Sequence, residues 1–527
     1  MYFVLQRISV NPRALLLVLL VLVMMTVLQA NAKEADHELS AVDLLQRVEE
    51  MSEDYGDIST SYTDIAEDVN DTRQTILVSY LGAVSQFSKS LFDILKKGSD
   101  LNSNEISSDN IVKLSKCFRT DFEGSMISGA LQVAIDDVNY NSSLLPNHKL
   151  HYIFNNTCGD EMRSTEYFME HWKKGAKVFI GPETNCKTEA TMAAAQNLPI
   201  LSYKCKDQTV SDKKRYPTFA RTVPAETKIT KSLMALLKHF AWRKFTVVYE
   251  KQPANTELFS AIKRAIEAEN EKLEHVDQKY TILNISVVEY PFSEVEKNNI
   301  EQIISETYPT TRIYVTFGNV RLFRKILLGM GQLGLMDNGE YVLIYLDTDY
   351  NWLNVYHAMN NHFFRDTLMS VKDSWNALDS EDRQVVNYSR TALAVIPTPV
   401  DLVSPVFTEF WRKANLYLPR FGVQQQEIAS SIKANRFACY LYDAVMLYAK
   451  ALHELMAETN MTAEAALSSG SSIISRILNK KYTSMQGFDM RIDDNGDAQG
   501  NYTLLSLQAV PPVHNQSDPD YYPLDSA

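Results

Sequence analysis

Short apolar runs spaced by helix-length segments restrict this chain to a parallel, layered kind of fold. The runs KLHYIF (149–154), KVFIG (177–181) and LPILSY (198–203) are separated by two helix-like segments, the first carrying Met162, Tyr167, Phe168 and Trp172. Strands this short, joined by helices of about ten residues or more, are crossover units, and crossover units build parallel sheets. In such sheets a ligand crevice lies outside the carboxyl ends of the strands. Those ends here carry GPETNC (181–186) and SYKC (202–205). Upstream, ILVSYLGAV (76–84) reads as the first buried strand, followed by an exposed polar connection around 96–110. Ile127, Ala130, Leu131, Ala134, Ile135 and Val138 then fall at helical spacing and should face the sheet.

After Pro224 the pattern restarts. KFTVVYE (244–250), NISVVEY (284–290), RIYVTFG (312–318) and EYVLIYLD (340–347) alternate with helical segments such as 232–242, 258–269 and 322–334. The expectation is a second doubly wound lobe. A long helix follows over 434–455, and 487–508 reads as a hairpin turning at Asn495-Gly496.

The N-terminus has Arg7 and Arg13, an apolar run from Ala14 to Leu28 and then Ala30-Asn31-Ala32, the layout of a cleaved secretory signal over 1–32. Eight Asn-x-Ser/Thr sites agree with export: Asn70, Asn141, Asn155, Asn284, Asn387, Asn460, Asn501 and Asn515. The formal charge is −13, and residues 33–74 alone carry 13 acids against Lys33, Arg47 and Arg73. That segment reads as an acidic helical lead-in, and no basic face suits a nucleic acid. The end of the chain, 511–527, reads as a polar tail.

Catalytic signatures are missing. There is no nucleophile elbow, no glycine-rich phosphate loop with a Lys, and no Cys-x-x-Cys pair. His453-Glu454 begins like a zinc-protease helix, but the second ligand position holds Ala457. Asp493, Asn495 and Asp497 have the alternate spacing of a calcium loop, yet Ala498 and Leu504 stand where a glycine and a bidentate acid are required. No metal site is expected, and the chain reads as a binding module rather than an enzyme.

GALQVAIDDVN followed by LLP, then FIGPETNC, LPILSYKC and YPTFARTVP, resembles the extracellular ligand-binding region of invertebrate receptor guanylyl cyclases. That region is shared with natriuretic-peptide receptors and, more distantly, with metabotropic glutamate receptors. The resemblance spans about 75–510 and implies an α/β fold of the type I periplasmic-binding-protein kind, with two doubly wound lobes and a three-crossing hinge. It places lobe 1 at about 75–221 and 396–486 and lobe 2 at about 222–395 and 487–510. The crossings would be TFARTVP (218–224), ALAVIPTP (392–399) and the stretch around Gly487.

The resemblance further implies a peptide-hormone sensor that works as a homodimer, secreted or on the outer face of the plasma membrane. Kinase-like and cyclase regions are not in this sequence, so membrane attachment would come only through them. The alternatives are an amino-acid-sensing ectodomain of the glutamate-receptor class and a secreted, ligand-sequestering decoy. The cleft or anion-binding candidates are Gly181, Glu183, Thr184, Asn185, Cys186, Ser202, Tyr203 and Lys204. No cofactor is expected beyond chloride, for which natriuretic-peptide receptors suggest Asn185 and Cys186. Lys204-Cys205-Lys206 departs from the Ser/Thr cradle of amino-acid-binding relatives. Of five cysteines, Cys439 reads as a buried free thiol. The favoured pairings are Cys117 with Cys158, after the glutamate-receptor relatives, and Cys186 with Cys205; the alternative, after the natriuretic-peptide receptors, is Cys158 with Cys186.

Overall fold

The structure is a computed structural model, and it describes residues 71–84, 124–289, 297–337, 339–347, 384–385, 388–400, 404–423, 436–458, 461–509 and 524–526. The signal segment, the acidic lead-in up to Asn70, Cys117, and the sequons at Asn387, Asn460 and Asn515 lie outside the described residues.

Alternation of buried side chains decides the first lobe. Strands β1 (Gln74–Tyr80), β2 (His148–Phe154), β3 (Val178–Ile180), β4 (Ile200–Ser202) and β5 (Phe219–Pro224) form a parallel sheet ordered β2-β1-β3-β4-β5, with β13 (Asp497–Ala498) added beside β5. Along a strand successive side chains point to opposite faces. Val178, Ile180, Leu201 and Ala220 therefore join one core, with helices α1 (Gly129–Tyr140), α8 (Pro405–Tyr417) and α9 (Arg436–Glu458). Phe179, Ile200 and Phe219 join the opposite core, with α2 (Glu161–Lys173) and α3 (Lys187–Ala195).

The second lobe repeats the plan. Strands β6 (Lys244–Glu250), β7 (Thr281–Val288), β8 (Ile313–Phe317), β9 (Val342–Leu346) and β10 (Ala392–Pro397) are ordered β7-β6-β8-β9-β10, all parallel. Helices α4 (Ile229–His239) and α5 (Pro253–Asn270) cover one face, and α6 (Lys297–Thr307) and α7 (Val320–Gln332) the other. Strand β14 (Tyr502–Ala509) runs antiparallel to β10, and β15 (Leu524–Ser526) pairs with β14, so three residues of the expected polar tail are in a strand. The expected fold, two sheet-containing lobes of the periplasmic-binding-protein kind, is what forms.

The chain passes between lobes after Pro224, after Pro397, and between Ala498 and Tyr502. The third crossing lies beyond the expected Gly487, because Met490, Ile492 and Ala498 are still buried in the first lobe's core. For the same reason 487–508 is not one hairpin. Asn495-Gly496 does turn the chain, bridging Ile492 to Ala498, but β14 belongs to the other sheet. The three crossings are packed together: the Thr398 N–H donates to Asn501 O at 2.9 Å, and a Cβ on Gly500 would stand 2.6 Å from Pro224 Cγ.

Helix α1 crosses α8 at Gly129, where an added Cβ would lie 1.8 Å from the backbone oxygen of Ala414. Two backbones cannot yield as a side chain can. Gly129→Ala is therefore expected to cost about 2 kcal/mol through overpacking, read as a lower urea midpoint; an unchanged midpoint would mean that the helices part freely.

Two buried titrating groups give opposing pH slopes. Burial pushes the Asp443 carboxyl from 3.8 up to about 7, although Ser484 Oγ and the Met485 N–H donate to it. Between those values the native state keeps a proton that the unfolded chain has lost, so stability falls as pH rises from about 4 to 7. Burial also holds His171 down from 6.5 to about 4, with Nδ1 2.7 Å from Ser79 Oγ. Here the native state refuses a proton that the unfolded chain takes, so stability falls as pH drops through the same range. Asp443→Asn isolates the first slope. Its melting temperature should approach that of the parent near pH 4 and exceed it increasingly toward pH 7, and a constant difference across the range would contradict the assignment.

Candidate ligand cleft at the first lobe switch point

Both sheets reverse their winding between their first and third strands, β1/β3 and β6/β8. At such a switch point neighbouring loops run to opposite faces and leave a crevice. Each third strand ends in a glycine with positive φ, Gly181 at 116° and Gly318 at 113°. Glycine is needed there because the backbone is in a region other residues rarely adopt and because the loops approach closely. A Cβ on Gly181 would lie 2.6 Å from Leu81 O.

Each crevice holds a buried glutamate. Glu183 Oε2 accepts from the Ala83 and Gly124 N–H groups at 3.1 Å each, and Oε1 is 3.2 Å from Lys204 Nζ. In the second lobe Glu250 Oε2 accepts from the Asn319 N–H at 2.9 Å. The Ala83 and Gly124 N–H groups at the first-lobe switch point are thus met by the protein's own carboxylate. The chloride that the resemblance suggests would be held instead by Asn185 and Cys186, at the start of α3 just beyond Glu183.

Outside this pair lies a cavity of about 370 Å³ lined by Glu183, Thr184, Asn185, Lys204, Cys205, Lys206, Asp207 and Phe437. Lys204 Nζ sits 5.5 Å from the centre of the Phe437 ring, within cation–π range. Four of the eight expected cleft residues, Glu183, Thr184, Asn185 and Lys204, line the cavity. The other four support it. Gly181 sets the loop approach, and Cys186 starts α3. Ser202 is buried, with its Oγ accepting from the Cys205 N–H at 3.0 Å. Tyr203 is buried beside Tyr80, ring centres 6.1 Å apart.

Cys186 and Cys205 form a disulfide with Cα atoms 5.9 Å apart, tying the two cavity loops together. The alternative pairing of Cys186 with Cys158 is thereby excluded. Cys158 is itself disulfide-bonded, and its favoured partner Cys117 lies outside the described residues. Cys439 is a buried free thiol in α9. Among the described sequons, Asn141 and Asn501 are exposed, and Asn155 and Asn284 are half-buried.

From the cavity a buried polar network leads to the hinge. Arg221, fully buried, donates to the backbone oxygens of Cys205 and Asp207 at 3.0 and 2.8 Å and pairs with Asp497 at 2.7 Å. Asp497 also accepts from Ser211 Oγ and lies 3.3 Å from Lys228 Nζ. Lys228 reaches Asp493 at 2.5 Å as well. Its neighbours make parallel contacts: Thr227 Oγ1 donates to Gln208 at 2.6 Å, and Glu226 is 3.9 Å from Lys206. Residues 226–228 open the second lobe, so three consecutive side chains bind the cavity side of the first. The acids that imitate a calcium loop are committed here: Asp497 to Arg221, and Asp493 to Lys228 and to the N–H groups of Asn495 and Asp497. Sequence reasoning reached Lys206 only as a departure from an amino-acid cradle, and it missed Asp207, Phe437 and this network.

The model of the receptor family ligand binding region matches residues 126–509. Guanylate cyclase 32E of Drosophila melanogaster is 31% identical over 387 residues, 72% of this chain and 29% of that protein. The Resact receptor of Arbacia punctulata is 24% identical over 399 residues, 73% of this chain and 39% of that protein. Atrial natriuretic peptide receptor 3 of Bos taurus is 23% identical over 339 residues, 63% of this chain and 56% of that protein. The chain therefore spans only part of the length of these relatives. Among the described residues no helix is long and apolar enough to cross a membrane. With its two doubly wound lobes, its hinge and a match that runs through both, the chain belongs to the receptor family ligand binding region, as an extracellular ligand-binding module related to receptor guanylate cyclases.

Proposed function

We propose that this chain is the sensor of a receptor guanylate cyclase, that its ligand is a peptide, and that it works as a homodimer. The observation that carries the peptide over a free amino acid is Glu183. Its carboxylate takes the Ala83 and Gly124 N–H groups and the Lys204 ammonium. An amino acid's own carboxylate would need such donors, and displacing Glu183 would leave a charge buried and unpaired. A peptide can bind across a broader surface and needs no carboxylate cradle. The names of relatives support the same direction, one of them being an atrial natriuretic peptide receptor.

Signalling would follow from differential affinity for two lobe arrangements, with residues 226–228 as the contact that changes. A thermal-shift screen of the secreted domain tests this. The twenty free amino acids should leave the melting temperature unchanged, while at least one member of a library of synthetic secreted peptides raises it. A clear shift with glutamate would sink the proposal. Light scattering should give twice the monomer mass, and a monomer at micromolar concentration with peptide bound would remove the dimer.

A further inference from the structure

A second groove lies on the first lobe at the far end of α9, about 20 Å along the helix from Phe437. It encloses about 360 Å³ between the α9 face bearing Lys450 and Glu454 and the segment from Arg476 to Thr483. On a chain of net charge −13, its lining gathers Lys450, Arg476, Lys480 and Lys481 with Glu454 and Asp489, and Glu458 stands beside Arg476. Lys480 pairs with Glu454, and Arg476 with Glu458. Neither Lys450 nor Lys481 forms a salt bridge among the described residues, and Lys450 acts only at a distance on the buried Asp443. Lys481 also stands directly opposite Arg491 in the antiparallel pair of β11 (Lys481–Thr483) and β12 (Asp489–Arg491). Like charges facing each other across strands destabilise a sheet. A bound oxyanion between these cations would remove that cost.

We propose that this groove binds sulfate groups of an extracellular sulfated glycan. The cations come from separate segments, Lys450 from α9, Arg476 and Lys480 from a later turn and Lys481 from a strand, which suits a polymer with charge repeated along its length better than a single ion. The module is extracellular, where such polymers are encountered. Attraction of this kind works by counterion release and weakens steeply with salt.

The test is binding of a heparin-derived hexasaccharide to the purified full chain at about 0.15 M salt. Micromolar binding is expected, weakened at least tenfold in Lys450→Ala/Lys481→Ala, with the slope of log affinity against log salt reduced by about two. The matched pair Lys231→Ala/Lys263→Ala, exposed on the second lobe, should bind as the parent does. If the groove pair fails to fold, Lys450→Gln alone should still weaken binding severalfold. No binding, equal binding by the groove variants, equal loss in the second-lobe pair, or capture of phosphatidylserine vesicles in place of the hexasaccharide would each overturn the proposal.

Discussion

Asp497→Ala is expected to destabilise the domain by about 3–5 kcal/mol, since it leaves a buried guanidinium without its anion. Arg221 and Asp497 are both fully buried, and the carboxylate also holds Ser211 and faces Lys228. After the substitution Arg221 would keep only the neutral acceptors Cys205 O, Asp207 O and Ser211 Oγ. Urea unfolding measures the loss. The combination Arg221→Met/Asp497→Leu should lose less than Asp497→Ala alone, because removing both charges of a buried pair avoids the uncompensated one. pH supplies a further check. Burial pushes the Asp497 carboxyl up, but Arg221 and Lys228 outweigh it and hold it below its ordinary value. Its contribution is therefore complete above the unfolded value and lost as pH falls through the folded one, so the penalty of Asp497→Ala should shrink below about pH 4. A loss below about 1 kcal/mol at neutral pH, the size of a surface pair, would show that the network is not a structural link.

The second large effect is expected at the cavity wall. Removing the Cys186–Cys205 disulfide as Cys186→Ser/Cys205→Ser should cost about 3 kcal/mol in the chain-entropy model, given a sequence separation of 19. The loss should not be spread evenly. This disulfide joins the loop of Glu183 and Asn185 to the loop of Lys204 and Asp207, so amide exchange should accelerate there first. Equal acceleration throughout the first lobe would show that it stabilises the lobe without shaping the cavity.

Much of the frame was legible because period-2 strands and period-3.6 helices leave strong marks on a sequence. Once KVFIG and LPILSY are read as parallel strands, the crevice rule leads directly to GPETNC and SYKC, and Glu183 and Lys204 follow. What escaped depends on contacts between distant segments. Phe437 reaches the cavity from the start of α9, and nothing around it differs from an ordinary core aromatic. Asp497 has the local spacing of a calcium ligand, and only the fold shows that its charge belongs to Arg221. Ser202 and Tyr203 lie at the right strand end, yet both are buried and support the crevice from within. The third crossing lies past Gly487 because polar, glycine-bearing sequence runs on from there to Gly500 and marks no single exit. Burial of Met490, Ile492 and Ala498 decides between them.

Hydrogen–deuterium exchange of the secreted domain, with and without a peptide that raises its melting temperature, is the most direct test of a cavity coupled to a hinge. Protection is predicted together at 183–186 and 204–207, which line the cavity, and at 221–228 and 493–501, which carry the Arg221–Asp497–Lys228 network and the third crossing. Protection at the cavity loops with unchanged exchange at both hinge segments would contradict it.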